Sequence, residues 1–429
     1  MEGVIILLVF AVVIILGVPI GNAIGIATVV GYLLLRNSLI IIPQKMFMGV
    51  NSFTYLCIPF FVLASDIMTD GGITRAILNF CNKFIGHICG GLAHVNVVAS
   101  AFFAGITGSA TADAVGLGKL EIDMMREAGY PDDFSAGITA ASAILGPIIP
   151  PSNSMILYAT IAGNIPVVML FLGGIVPGLI IAALLMAYCY YVSKKKKYPV
   201  TGKRAKLKDI LRAFISCFPA LLMPIIILGG ILSGLFTATE SAAIAVVYAV
   251  FVTKFVYRTF NYKKFILNLI NAAKTTCVVY FIIAISSAMG WVITVLRVPQ
   301  TAAAFVLTFA DSAFTFLIFA NLLLLVIGML LDLAPAVMIM APILIPIAVS
   351  YGVDPLHFGI IVCINLTIGL ISPPIGMTLF VTSGVANITL ERMYKAIIPF
   401  FLVEAVALAV ITFCPDMVLF IPRLMGYGG

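Results

Sequence analysis

The chain has 429 residues, 62% of them hydrophobic and only 10% charged, with a formal net charge of +7. A soluble globular chain is nearer half apolar and about a quarter charged, so 24 basic and 17 acidic residues cannot clothe a molecule of this size in water. Soluble enzymes, disordered tails and secreted disulfide scaffolds are excluded together, which leaves a polytopic integral membrane protein.

The fold must be all-α. Apolar stretches such as Val4–Leu16, Leu170–Tyr191, Leu221–Leu235, Leu322–Leu331 and Ala396–Cys414 lack the alternation of barrel strands. Helices are then the remaining way to satisfy backbone groups across lipid. Val4–Leu35 is too long for one crossing, and Gly17-Val18-Pro19-Ile20-Gly21 predicts a turn between two helices. The start carries Glu2 and no basic region, so a cleavable signal peptide is not expected. Residues 1–53 read as scaffold helices. In the stretch LASDIMTDGG, Ser65 reads as a cavity candidate and Asp66 as interfacial.

The next element is an apolar segment interrupted by a small polar tip, residues 105–113, reading GITGSATAD. Its flanks, His94–Ala104 and Ala114–Glu127, are each shorter than the roughly 20 residues a crossing needs. A re-entrant helical hairpin fits. A spanning segment over residues 133–162 follows, broken at Gly146-Pro-Ile-Ile-Pro-Pro151. Proline inside a helix costs about 3 kcal/mol or more, and glycine roughly 1 kcal/mol relative to alanine. Unwinding frees carbonyls of the first half-helix and N–H groups of the second, which survive at membrane depth only beside protein or water. Ser152, Asn153 and Ser154 stand at the restart and read as ligand contacts.

Lys194–Lys208 carries eight basic residues and belongs in the cytoplasm by the positive-inside rule. It separates residues 1–193 from 209–429. Stepping from it through the basic clusters at Lys254–Lys264, Arg392 and Lys395, Lys119–Arg126, and Arg75 and Lys83 puts all of them on one side. The count is about ten crossings, with both termini, including Gly429, outside. The second half repeats the first: scaffold helices over 217–256, a hairpin near Phe314–Val349 with its tip at 328–335, and a broken helix over 356–386.

A shift of 223 residues lays Gly105 on Gly328, Gly129 on Gly352, Gly146 on Gly369, Pro150-Pro151 on Pro373-Pro374 and Asn164 on Asn387. The charge distribution makes the copies upside down: Asp123–Phe134 falls inside and Ser350–Phe358 outside. Inverted repeats are a mark of secondary transporters, with the site near the midplane at the repeat interface. Freed carbonyls suit sodium, and helix N-termini suit an anion. Ser109, Thr111 and Asp113 fit N-caps as well as ion ligands, and so does Asp332. Thr378 stands one turn past the second proline pair. The physical argument calls for at least two sodium ions per cycle.

Enzyme signatures are missing. Gly116-Leu117-Gly118-Lys119 is followed by Leu120 and makes no phosphate loop. His87, His94 and His357 are isolated, and the eight cysteines form no CxxC.

With GITGSATADAVG, GPIIPPSNSMI, GMLLDLAP, GLISPPIGMTLF and LASDIMTDGG on view, the chain resembles the large membrane (M, DctM-like) subunit of tripartite ATP-independent periplasmic transporters, over essentially its whole length. The resemblance implies a sodium-coupled, elevator-type importer of organic acids, including C4-dicarboxylates and sialic acids, in the bacterial inner membrane. It also implies two partners, a small four-helix membrane (Q) subunit and a soluble periplasmic substrate-binding (P) protein. The small subunit is expected as a separate chain. By the same resemblance, one sodium site joins Ser109 and Thr111 to Gly146, Pro147, Pro150 and Asn153. The other joins Asp332 and Ala334 to Gly369, Pro373 and Thr378. Ser65, Ser152, Asn153 and Thr378 are the substrate candidates. The competing readings are a related carboxylate symporter acting alone, and an ion channel or membrane scaffold.

Overall fold

The computed structural model describes residues 2–199, 205–298, 301 and 312–428, and every regular element among them is helical. Met1, Lys203 with the rest of 200–204, and Gly429 lie outside the described residues.

Glu2–Ile15 and Ile20–Leu34 are two separate helices, parted by Gly17 at φ +81° and by Pro19, which supplies the N-cap of the second. Together with Ile41–Val50 and Tyr262–Val295 they enclose a small core of their own, built from Ile6, Ile24, Ala27, Tyr32, Ile42, Ala288 and Val292. Tyr32 stacks on Trp291, the chain's single tryptophan, at 5.0 Å between ring centroids. The other segment read as scaffold goes elsewhere. Leu207–Leu232 packs on Ile73–Ile85, and Ala238–Phe251 packs on Cys57–Asp70. Their buried residues, Cys217, Met223, Ile227 and Ala245 among them, belong to the large central core.

The central body holds the segments read as hairpins and broken helices, which are helix–turn–helix units and pairs of short helices. Gly91–Thr107 turns at Gly108 into Ala110–Gly116 and Gly118–Glu127, and Ala313–Leu330 turns at Leu331–Asp332 into Leu333–Ser350. Moving the first hairpin 223 positions along lands its arms on 314–330 and 333–350, within one residue of the observed helices. The same shift carries Asp132–Ala143 into Pro355–Gly369, and Asn153–Ala162 to within one residue of Met377–Ala386. The peptide bonds Pro150-Pro151 and Pro373-Pro374 are both cis.

The packing crosses between halves in the same pattern. Asn153–Ala162 lies on Leu333–Ser350, and Met377–Ala386 lies on Ala110–Gly116. Each restart helix is therefore seated on the returning arm of the other half's hairpin. One difference between halves is local: Ile41–Val50 and Cys57–Asp70 correspond to the unbroken Tyr262–Val295.

By length and composition, eight helices among the described residues can cross a membrane. The number is nine when Asp132–Ile148 and Asn153–Ala162, bent by 41°, count as one span. The count of about ten from sequence includes the two N-terminal helices, which at 14 and 15 residues fall short of that length. Exposed Leu8, Phe47, Val247 and Leu402 give the molecule the apolar exterior that lipid requires.

Candidate functional site

The two tips and the two breaks meet around a cavity of about 450 Å³. A small-molecule pocket typically encloses ~300–1,000 Å³. The first tip supplies Thr107 to Ala112, the first break Pro147, Asn153 and Ser154, the second tip Asp332 and Ala334, and the second break Leu370. Ser65 and Asp66, from Cys57–Asp70, and Thr275, from Tyr262–Val295, complete the polar part of the wall.

The first tip is built by Gly108, which ends Gly91–Thr107 in the left-handed region at φ +61°. A Cβ there would stand 2.7 Å from the Pro151 carbonyl oxygen, so the tip rests directly on the break. Ser109 caps the next helix, its hydroxyl accepting from the Ala112 amide at 3.4 Å and lying 3.2 Å from the Thr111 hydroxyl. Asp113 caps nothing: it is inside the helix and buried, and one carboxylate oxygen accepts the Thr107 hydroxyl. Behind the tip, Asn96 donates to Thr139 at 2.8 Å, and Ser142 donates to Asn96 at 2.6 Å. These bonds tie the hairpin to the broken helix, at about 0.6 kcal/mol for a typical buried pair in a membrane protein.

At the first break, Leu145–Ile148 ends in extended backbone at Ile149, and Ser152 caps the restart. Ser152 is fully buried, and its hydroxyl donates to the Pro147 carbonyl at 2.5 Å, so it braces the break from behind the wall. Gly146 and Pro150 are buried behind the wall as well, whereas Pro147 and Asn153 reach it.

At the second break, a Cβ on Gly369 would stand 2.6 Å from Gly328 Cα, a backbone-to-backbone approach only glycine allows. Gly369 and Thr378 are buried, Pro373 is half-buried, and none of the three borders the cavity. The Thr378 amide donates to the Leu370 carbonyl at 3.0 Å, while its hydroxyl has no partner. Asp332 opens Leu333–Ser350 but makes no side-chain cap like that of Ser109. With Ala334 it also lines a second cavity, of about 470 Å³, shared with Pro19, Asn22 and Phe281.

The donors are hydroxyl, carbonyl, amide and carboxylate oxygens, which suit a hard cation. Among the described residues, no cluster of three or more His, Cys, Asp or Glu side chains is placed to hold a metal ion. Two buried oxygens without partners, Asp113 Oδ2 and Thr378 Oγ1, sit one near each break. Their desolvation is unmet by the protein alone.

The family described as "Tripartite ATP-independent periplasmic transporter, DctM component" matches residues 7–417. The chain belongs to this family. Its relatives in this family are named as transporter permeases. It is 40% identical over 418 residues to the sialic acid TRAP transporter large permease protein SiaM of Vibrio cholerae, covering 96% of each chain. To the C4-dicarboxylate TRAP transporter large permease protein DctM of Pseudomonas aeruginosa it is 40% identical over 382 residues, covering 89% of each. Its fold is similar to that of the solved YdaH transporter of Alcanivorax borkumensis, with a TM-score of 0.60 at 14% identity and coverage of 90% and 89%.

Asp66 is the wall residue that sequence reasoning assigned elsewhere. The Gly71-Gly72 pair beyond it suggested the membrane boundary, but Cys57–Asp70 presents Ser65 and Asp66 together to the cavity. The missed signal was the helix's polar face, on which Thr69 lies one turn from both.

Proposed function

We propose that this DctM component imports an organic anion across the bacterial inner membrane, coupled to at least two sodium ions. The substrate comes from a periplasmic binding protein, and a small four-helix membrane subunit completes the transporter. One observation carries the reading: among the described residues, the cavity between both tips and both breaks has two carboxylates on its wall, Asp66 and Asp332, and no Lys or Arg. An anion entering such a wall is repelled unless cations enter with it. The oxygen-lined breaks are where sodium would be held, and the N-terminus of the ten-residue helix Asn153–Ala162 favours negative charge.

The matched element lengths and the exchange of helices between halves support two repeats, which the charge distribution orients oppositely as re-entrant hairpins and broken helices. In an elevator cycle the hairpin body would move against the small core around Tyr32 and Trp291. Relatives of equal identity are named for sialic acid and for C4-dicarboxylates, so the substrate class is a small organic acid.

Reconstitution in liposomes with purified binding protein and small subunit tests the tripartite reading. Saturable uptake that requires both partners is expected. Full uptake by this chain alone would favour the stand-alone symporter.

A further inference from the structure

We propose that Glu404 is a proton-binding site built into the seam between the helices that lead into the two breaks. Its proton sets the pH range in which the transporter turns over. Glu404 borders neither cavity, and the inference does not rest on the sodium reading.

Glu404 is the fifteenth residue of the 24-residue helix Leu390–Phe413. It stands in the buried stripe Ile397, Phe400, Glu404, Ala407, Leu408 and Ile411, whose spacing turns one helix face inward. It is 0% exposed, and neither carboxyl oxygen has a hydrogen-bond partner. The helix packs on Asp132–Ala143 and Pro355–Gly369, which lead into the first and second breaks, and on Val167–Lys196. One turn before the acid, Phe400 abuts Gly137, where an added Cβ would stand 3.0 Å from the ring. Two turns after it, the Ile411 carbonyl lies 3.0 Å from His357 Nε2. Glu404 is held between a contact to one broken segment and a contact to the other.

The internal repeat shows that the fold does not ask for an acid here. Shifting Leu390–Phe413 back by 223 residues starts it at Val167, the first residue of Val167–Lys196, and lays Glu404 on Ile181. Ile181 is fully buried too. An apolar side chain packs at such a position without desolvating any polar group. The acid therefore weakens the core and supplies what isoleucine cannot, a group that gains and loses a proton.

No charge on the chain meets it. Leu390–Phe413 carries its own Glu391, Arg392, Tyr394 and Lys395 in its first two turns. Asp132–Ala143 brings Asp132 and Asp133 at its surface end, paired with Arg126 and Arg392. Val167–Lys196 brings Tyr188, which meets Phe400 edge-on at 5.1 Å, then Cys189, Tyr190, Tyr191 and the lysines of its last turn. Pro355–Gly369 brings His357 and Cys363, and Pro415–Leu424 brings Asp416 and Arg423, which pair with each other. Met377–Ala386 and Ala313–Leu330 bring none. Among the described residues, none of these bonds to Glu404 or forms an ion pair with it.

An ionised carboxylate so placed is strongly disfavoured, so the packed seam holds the acid in its protonated form. Raising the pH removes the proton and favours any arrangement in which the seam opens and water reaches the carboxylate. The packing is intact while the proton is bound and is lost as pH rises.

Glu404→Gln, the neutral isostere, tests the site by two readouts. Infrared difference spectra of the purified protein between acid and alkaline pH should show a protonated-carboxyl band in wild type that the variant lacks. Uptake into liposomes holding the complete transporter, at constant sodium and equal pH on both sides, gives the second. The wild-type rate should fall several-fold between about pH 6 and about pH 9, while the variant's rate stays level and its sodium dependence is unchanged. Glu404→Ile, which places the repeat partner's side chain here, should match the Gln variant and serves if that variant does not fold. Parallel rate profiles in wild type and a folded variant overturn the proposal, as does the same carboxyl band in both.

Discussion

Neutralising a carboxylate on the cavity wall removes a charge-assisted ligand, and such a ligand is worth more than a neutral one in an apolar surround. Asp332→Asn is therefore expected to raise the sodium concentration for half-maximal uptake about tenfold, since each ~1.4 kcal/mol is a factor of ten. Ser109→Ala should shift the same quantity less, because it removes a neutral hydroxyl and the cap on Ala112 together. Ser233→Ala is the control: this exposed residue ends Leu207–Leu232 and bonds only to its own helix, at Gly230. Sodium titrations of uptake on the three variants check this, and equal curves would detach both tip residues from the ion. At this scale the sequence was only partly readable. Ser109, Asn153 and Asp332 could be named as candidates because they stand beside glycine and proline breakers, whereas Ala334 came from the family resemblance. The roles of Ser152 and Asp113 depend on which way a side chain turns from its helix, information that spacing does not carry.

Hairpin tips depend on backbone shape more than on side-chain chemistry. Gly108 adopts φ +61°, and a Cβ there would press on the Pro151 carbonyl. Forcing an L-residue into that region costs roughly 1–2 kcal/mol, before the contact is counted. Gly108→Ala should lower the thermal midpoint of the purified protein and reduce uptake at least about tenfold. Gly384→Ala, in an exposed helical position with nothing within 4 Å of the added atom, should leave both unchanged or slightly raise stability. Comparable loss in both variants would mean that the tip tolerates a side chain. Elements were the most legible level of the sequence. Glycines and prolines mark special backbone positions, and their recurrence at one offset coincides with helix boundaries in both halves. The scaffold was less legible: apolar helices of similar composition give no sign of their neighbours, so the packing of 217–256 on Cys57–Asp70 and Ile73–Ile85 could not be read in advance.

For the whole molecule, charge distribution predicts that Lys206 faces the cytoplasm and Ser350 the periplasm. Both are exposed, so each can be replaced by cysteine and labelled from either side once the exposed native Cys277 and Cys414 are removed. Labelling of the two positions from opposite faces is expected; labelling from the same face would end the inverted-repeat reading. The coupling ion is the central claim. The decisive measurement is uptake of a radiolabelled organic acid, presented on its binding protein, into liposomes holding the complete transporter under an imposed ion gradient. An inward sodium gradient should drive accumulation with a sodium dependence steeper than first order, and removing sodium should abolish it. Uptake at the full rate in sodium-free medium under a proton gradient would contradict the account.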